Sequence, residues 1–268
     1  MIWVKSNSRY LGALIMAPFI AFIFLGGIWL KLFTIALSFA GLYEYYKTVK
    51  VAKLKPISIG GYILLILYYL TSNNFEMLSF LIIIATFILL CVPILNIEYT
   101  FIDVAVTILG FIYVGVFFSF IHLVNIKEGG QYLVWLIFLS SWLCDTAAYY
   151  SGRFFGKHKL CPKVSPKKTI EGSIGGILGS TLACGIFGII ISNSFSLIPV
   201  YHYFIIGILC GVFCQFGDLV ASSIKRYAGI KDYSNLIPGH GGILDRFDSI
   251  LFAGTIVFFY LTLVLKLL

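Results

Sequence analysis

Residues Val200-Tyr-His-Tyr-Phe-Ile-Ile-Gly-Ile-Leu-Cys-Gly-Val-Phe-Cys-Gln-Phe-Gly-Asp-Leu-Val-Ala221 form a run long enough to cross a bilayer as a helix, which takes about 20 apolar residues. A second run, 247–267, follows after Ser222-Ser-Ile-Lys-Arg-Tyr-Ala-Gly-Ile-Lys-Asp-Tyr-Ser-Asn-Leu-Ile-Pro-Gly-His-Gly-Gly-Ile-Leu-Asp-Arg-Phe-Asp248. Those 27 linking residues hold four cations, three carboxylates, a histidine and a Gly-Gly pair. Two greasy spans therefore bracket a dense polar loop, which belongs at the mouth of a helix bundle where water, a soluble substrate and lipid headgroups all have access.

Working outward, the rest of the chain repeats the apolar theme. It is 60% hydrophobic and 11% charged, with a mean hydropathy of +1.00, whereas a soluble domain is about 25% charged. Further runs near span length lie at 11–30, 31–46, 57–71, 75–95, 103–125, 132–150 and 172–192, about nine in all. The first pair is separated only by Lys31, and 57–71 is short. The apolar run after Lys5 and Arg9 exceeds a signal-peptide core and lacks an Ala-x-Ala cleavage site, so it reads as a retained span. The expected fold is all-α: one polytopic membrane domain over residues 1–268, with 1–130 mainly anchor and 131–268 the catalytic half.

Of the 19 Lys and Arg, 16 fall in four segments: Lys5 and Arg9, Lys47 to Lys55, Arg153 to Lys168, and Lys225 to Arg246. Nine spans with the N-terminus inside put all four on the cytoplasmic side, as the positive-inside rule requires. That rule alone accounts for most of the Lys47–Lys55 cluster. The net charge of +8 suits anionic headgroups or a phosphorylated substrate; no nucleic acid is expected as a partner. Six scattered cysteines show no metal-ligand spacing and read as small hydrophobes.

The acids of the first half, Glu44, Glu76, Glu98, Asp103 and Glu128, lie near predicted span ends, where a carboxylate stays wet, and need no function. The other six, Asp145, Glu171, Asp218, Asp232, Asp245 and Asp248, fall in or beside two polar segments on the same side. Asp218, Ser222 and Lys225 share one helical face at i, i+4 and i+7; a structural Asp–Lys contact is the alternative to a functional site. Asp245 and Asp248 share another face, and a helix dipole alone is the competing reason for acids there. Asp145 is a second carboxylate inside a span. Magnesium takes one or two carboxylates together with substrate phosphates and water, a requirement that Asp218, Asp245 and Asp248 meet if the last two spans are neighbours. Gly239, Gly241 and Gly242 let backbone N–H groups turn toward an anion, with Lys225, Arg226, Lys231 and Arg246 converging on it. Lys167, Lys168 and Thr169 precede a helix, where the dipole favours phosphate. For His240, phosphate contact, general acid work and a loop-fixing hydrogen bond all stay open. The small-residue rows Gly172/Gly176/Ser180 and Gly175/Gly179 read as a packing device.

At these residues the chain resembles the phosphatidate cytidylyltransferase, or CDP-diacylglycerol synthase, family. Its signature is matched by Ser222, Lys225, Arg226, Lys231, Asp232, Pro238, His240, Gly241, Gly242, Asp245, Arg246 and Asp248; with Gly217-Asp218-Leu219, the Asp145–Lys157 run and Ser165-Pro-Lys-Lys-Thr169, the likeness covers roughly 140–250. Ala221 stands where members often carry an acid, and Ile170 where they often carry an aromatic. The resemblance implies condensation of CTP with phosphatidate to CDP-diacylglycerol and pyrophosphate. Two anions must then be brought together and the charge on the departing pyrophosphate offset, which metal ions and Lys/Arg clamps supply. Asp218 and Asp245 are the first choice to hold Mg²⁺, with Asp248, Asp145 or Asp232 completing a second cation or its outer shell. Lys225, Arg226 and Arg246 are assigned to phosphates, Lys167 and Lys168 close the site, and Ser222, Lys231, Asp232, His240, Gly241 and Gly242 line it. CTP, phosphatidate and membrane lipid are the expected partners, a homodimer is allowed, and a bacterial inner membrane with the site facing the cytoplasm is the expected location. A kinase using CTP on a lipid alcohol and an ion-coupled transporter are the rivals; the second predicts internal repeats, and none is visible.

Overall fold

The computed structural model describes residues 19–71, 75–193, 198–237, 239 and 241–267. Lys5, Arg9, Pro238, His240 and the start of the expected 11–30 span lie outside them. Residues 19–25 are helical, and long helices follow: α1 (Gly27–Val51), α2 (Ser58–Leu70), α3 (Phe75–Leu95), α4 (Phe101–Asn125), α5 (Gly130–Phe155), α6 (Ile170–Ser192), α7 (Val200–Tyr227) and α8 (Leu244–Val264). A two-stranded antiparallel hairpin, β1 (Lys159–Cys161) and β2 (Ser165–Thr169), joins α5 to α6; the all-α expectation did not include it.

Six helices, α3 to α8, are long and apolar enough to cross a membrane. The other three expected spans fare differently. The first break is at Gly26, not Lys31: Gly26 and Gly27 have φ of +59° and +49°, a left-handed turn open to glycine at little cost, and Asn125 Oδ1 accepts from Gly27 N–H at 2.8 Å. Lys31 lies inside α1, so 31–46 is part of a 25-residue helix. The 57–71 run becomes the 13-residue α2, about 20 Å long at 1.5 Å per residue.

Helix α1 buries Leu30, Thr34, Leu37, Ser38, Gly41, Leu42 and Tyr45, an i, i+3, i+4 stripe turned to the bundle, while apolar residues such as Trp29 and Leu32 stay exposed on its other face. Hydroxyls tie it to its neighbours, Ser38 Oγ meeting Tyr69 OH at 2.8 Å and Tyr46 OH donating to Thr107 O at 2.9 Å, and Tyr68 OH ties α2 to α4 by meeting Ser119 Oγ at 2.7 Å. In apolar surroundings such bonds help hold helices together. Helix α4 contains one π-helical stretch, Phe111–Val116.

The second half of the chain packs on small residues, as expected. A Cβ added at Gly172 would lie 2.8 Å from Ala148 O, and one at Gly176 would lie 3.1 Å from Cys144 O, so α5 and α6 run almost backbone to backbone. On the other flank, a Cβ at Gly207 would come within 2.7 Å of Thr181 Cα, and Ser180 Oγ donates to Gly207 O at 2.8 Å. Helix α8 joins the halves, packing on α7, α5, α4 and α1.

The connectivity gathers the polar segments at one end of the bundle. There the end of α1 meets the start of α8, the end of α7 meets the start of α8, and β2 meets the end of α7. At the opposite end Gly27 meets Asn125, and Lys127 Nζ donates to Leu267 O at 2.7 Å.

Candidate active site

The hairpin is built by its own polar residues. Thr169 is the N-cap of α6, its Oγ1 accepting from Gly172 N–H at 3.1 Å. Glu171, in the first turn, accepts from Lys157 N–H at 3.1 Å and pairs with His158 Nδ1 at 2.7 Å, fastening the hairpin base to the helix. This fixes Lys167 and Lys168 beside the end of α7. Lys168 Nζ lies 2.7 Å from Asp218 Oδ2, with the two side chains 23% and 32% exposed, so the pair is reachable by solvent and ligand.

A cavity of about 410 Å³ opens between α5, the hairpin, α6 and α7, lined by Asp145, Lys167, Lys168, Thr169, Gln215 and Asp218, with Tyr149 and Arg153 toward its rim. That volume is in the range of ligand pockets. Gln215, which the sequence reading passed over, is buried and donates through Nε2 to Ser173 O at 3.1 Å and Gly211 O at 2.8 Å.

On α7, Ser222 Oγ donates to Asp218 Oδ1 at 3.2 Å, and Ser222 and Lys225 are both buried. The shared helical face is real and points inward. Asp145 and Asp248 stand within electrostatic reach of Asp218 and of each other, and Arg246, itself exposed, acts on Asp145 from outside. Two hydroxyls stand beside this group: Ser249 Oγ faces Asp145, and Tyr113 OH is buried without a hydrogen-bond partner among the described residues.

Asp245 is placed differently from the expectation that it pairs with Asp218 around one ion. Its Oδ1 is 2.6 Å from Lys225 Nζ, and the two side chains are 3% and 10% exposed. Its Oδ2 accepts from Tyr233 N–H at 2.8 Å and Gly242 N–H at 2.9 Å. Gly241, at φ +83°, leaves no room for a side chain against that carboxylate. Tyr233 closes the pocket: its OH donates to Ala221 O at 3.3 Å and its ring lies 5.3 Å from Lys225 Nζ. Burial above all, then Tyr113 and the Asp248 and Asp245 charges, push its phenol well above the ordinary value, so it stays a donor. The loop beyond is closed by Ile237 N–H donating to Gly241 O at 2.9 Å.

Arg226 is engaged with backbone, donating to Ile230 O at 3.0 Å and Val164 O at 3.4 Å. Lys231 and Asp232 are exposed at the loop's outer surface. Two first-half acids do not fit the reading that such residues merely stay wet. Asp103 is 4% exposed, forms a reciprocal cap with Thr100 and accepts from Lys55 N–H at 2.6 Å. Glu44 is 2% exposed and accepts from Ser234 Oγ at 2.6 Å, Ile243 N–H at 3.0 Å and Leu244 N–H at 2.9 Å.

Among the described residues no three Asp, Glu, His or Cys side chains close into a ready-made metal cage. The carboxylate oxygens and the nearby Tyr113 hydroxyl nevertheless suit a hard divalent cation that arrives with phosphates, and the Lys168 ammonium suits the phosphates themselves.

With this geometry in hand, comparison with known proteins is specific. The profile of the cytidylyltransferase family matches residues 7–264. A phosphatidate cytidylyltransferase of Staphylococcus saprophyticus is 36% identical over 255 residues, covering 91% of this chain and 94% of that one. One from Bacillus subtilis is 32% identical over 271 aligned residues, covering 97% and 99%, and one from Staphylococcus aureus is 41% identical over 155 residues, 58% of each chain. With the match running through the membrane helices as well as the polar segments, the chain belongs to the cytidylyltransferase family.

Proposed function

We propose that the protein transfers the cytidylyl group of CTP to phosphatidate, releasing pyrophosphate. An oxygen of the lipid phosphate attacks the α-phosphorus and forms the new P–O bond; the bond from the α-phosphorus to the bridging oxygen breaks, and pyrophosphate leaves with the electron pair. The phosphate nucleophile is already ionised, so no side chain has to take a proton or form a covalent intermediate.

The observation that carries this reading is a cavity at one end of a membrane bundle in which Lys167 and Lys168 face Asp145 and Asp218. Cations and carboxylates lining one cavity suit a polyphosphate that brings its own metal. Asp218, with Asp248 and Asp145, would hold Mg²⁺, which supplies charge neutralisation of the phosphates when bound. Lys168 moves from Asp218 to a phosphate as CTP enters. Lys225 moves likewise from Asp245, freeing Oδ1 for a second cation, while Asp245 Oδ2 keeps the loop attached. Arg246, Arg226, Lys231, Asp232 and the His240-Gly241-Gly242 turn border the path of the triphosphate, and Ser222 orients Asp218. Holding the two anions in line supplies much of the rate.

The exposed apolar faces of α3 and α6 meet lipid. We place nine helical segments in or at the membrane, with the N-terminus and the active site on the cytoplasmic side of a bacterial inner membrane. The described cations outside the polar end, Lys31, Lys127 and Lys266, are few, as the positive-inside rule asks.

The test is purified protein in mixed micelles of phosphatidate with labelled CTP and Mg²⁺, following CDP-lipid and pyrophosphate together. Metal-dependent formation of both is expected. Release of CDP with phosphorylation of a lipid alcohol would identify a kinase instead, and neither product from folded protein would overturn the transferase reading.

A further inference from the structure

Helix α8 carries Asp245, Arg246 and Asp248, yet its own N-cap position is Ile243, which has no side chain to satisfy the first N–H groups. A helix start buried without caps is costly. Here the cap comes from the other half of the chain. Glu44, on α1, takes the N–H groups of Ile243 and Leu244 on its two oxygens, across 199 and 200 residues of sequence, and also takes the hydroxyl of Ser234. No ammonium pairs with Glu44 among the described residues. The three donors and the positive end of α8 hold its charge at 2% exposure. Gly242 is required beside it, since a Cβ there would sit 2.6 Å from the Glu44 oxygens.

The loop from Tyr233 to Ile243 is thus held at both ends by two carboxylates. Asp245 grips the N–H groups of Tyr233 and Gly242, and Glu44 grips Ser234, Ile243 and Leu244. We infer that Glu44 is a positioning residue for cytidylyl transfer: it sets the seat of the 233–243 loop and the start of α8, and through them the placement of Asp245 and Asp248. The inference rests on the transferase reading above and adds a residue from the half that otherwise serves as anchor.

The experiment compares Glu44→Gln with Asp103→Asn, a buried carboxylate of the same half that caps α4 and does not touch the loop. In Glu44→Gln, kcat is expected to fall about 10- to 100-fold, the scale for a small misplacement of reacting groups, with KM for CTP and phosphatidate within about twofold. Amide hydrogen exchange should rise across 233–247 and stay unchanged in α5 and α6. Asp103→Asn should keep kcat when assayed equally far below its melting temperature. Equal kcat losses in the two variants at matched stability, or unchanged exchange across 233–247, would overturn the inference. If Glu44→Gln does not fold, Ser234→Ala removes one donor only and should raise the same exchange and lower kcat less; no change in either would also overturn it. Absence of CDP-lipid formation by the wild type would count against the transferase reading alone, because the exchange comparison judges Glu44 without it.

Discussion

Glu44 and Asp245 are engaged on both of their oxygens, while Asp145, Asp218 and Asp248, at the same end of the bundle, share one adjacent ammonium, that of Lys168, with one hydrogen bond from Ser222 Oγ to Asp218 and one from Ser249 N–H to Asp248. The first pair accepts five backbone or hydroxyl hydrogen bonds and one buried lysine. Asp145 and Asp218 line a cavity, and Tyr113 OH beside the group has no hydrogen-bond partner among the described residues. Engaging a saturated carboxylate means first breaking what holds it, whereas an undersupplied one gains from each contact. On the proposed reading the second kind receive the ligand first, while Glu44 and the Oδ2 of Asp245 position the loop.

The sharpest way to break this contrast is Asp218→Asn. Transfer should fall by at least about 1,000-fold, about 4 kcal/mol in barrier, while the melting temperature hardly changes because the pair Asp218 forms with Lys168 is partly exposed; a variant that loses activity by unfolding would contradict the assignment. Lys225→Met should act in the opposite currency. It strands Asp245, and breaking a buried pair costs about 3 kcal/mol or more, read by unfolding in detergent, with Asp245→Asn added in the same chain recovering part of the loss. Lys168→Met sharpens the contrast from the cavity side: its pair is partly exposed, so stability should hardly change, while KM for CTP rises about tenfold, about 1.4 kcal/mol, in steady-state kinetics. Thr169→Ala should have the smallest effect, about 1 kcal/mol of stability from the lost cap of α6, measured by chemical unfolding.

Much of this was legible because it is periodic. Helices α3 to α8 follow from continuous apolar runs, and counting 3.6 residues per turn put Asp218, Ser222 and Lys225 on one face. The small residues of α6 announced close packing. The boundary between the first two spans was drawn at Lys31 because the apolar pattern runs through Gly26, and only the backbone conformation places the break there. The hairpin at 159–169 is too short and polar to leave an alternation, and Pro162 and Pro166 masked it further. Glu44 was unreadable for a different reason: its partners are mostly backbone N–H groups far along the chain, and a backbone group has no sequence signature. The same limit applied to Asp245. Its type and spacing marked it as a ligand, but the two amides on its second oxygen come from the fold of the loop.

The most direct test is divalent cation binding. Mn²⁺ in place of Mg²⁺, titrated into the wild type and Asp218→Asn with and without CTP and followed by electron paramagnetic resonance, reads the cavity without requiring turnover. The account predicts that CTP tightens Mn²⁺ binding to the wild type and that Asp218→Asn loses most of this tightening while staying folded. Equal Mn²⁺ affinity in the two proteins, with CTP present, would contradict it.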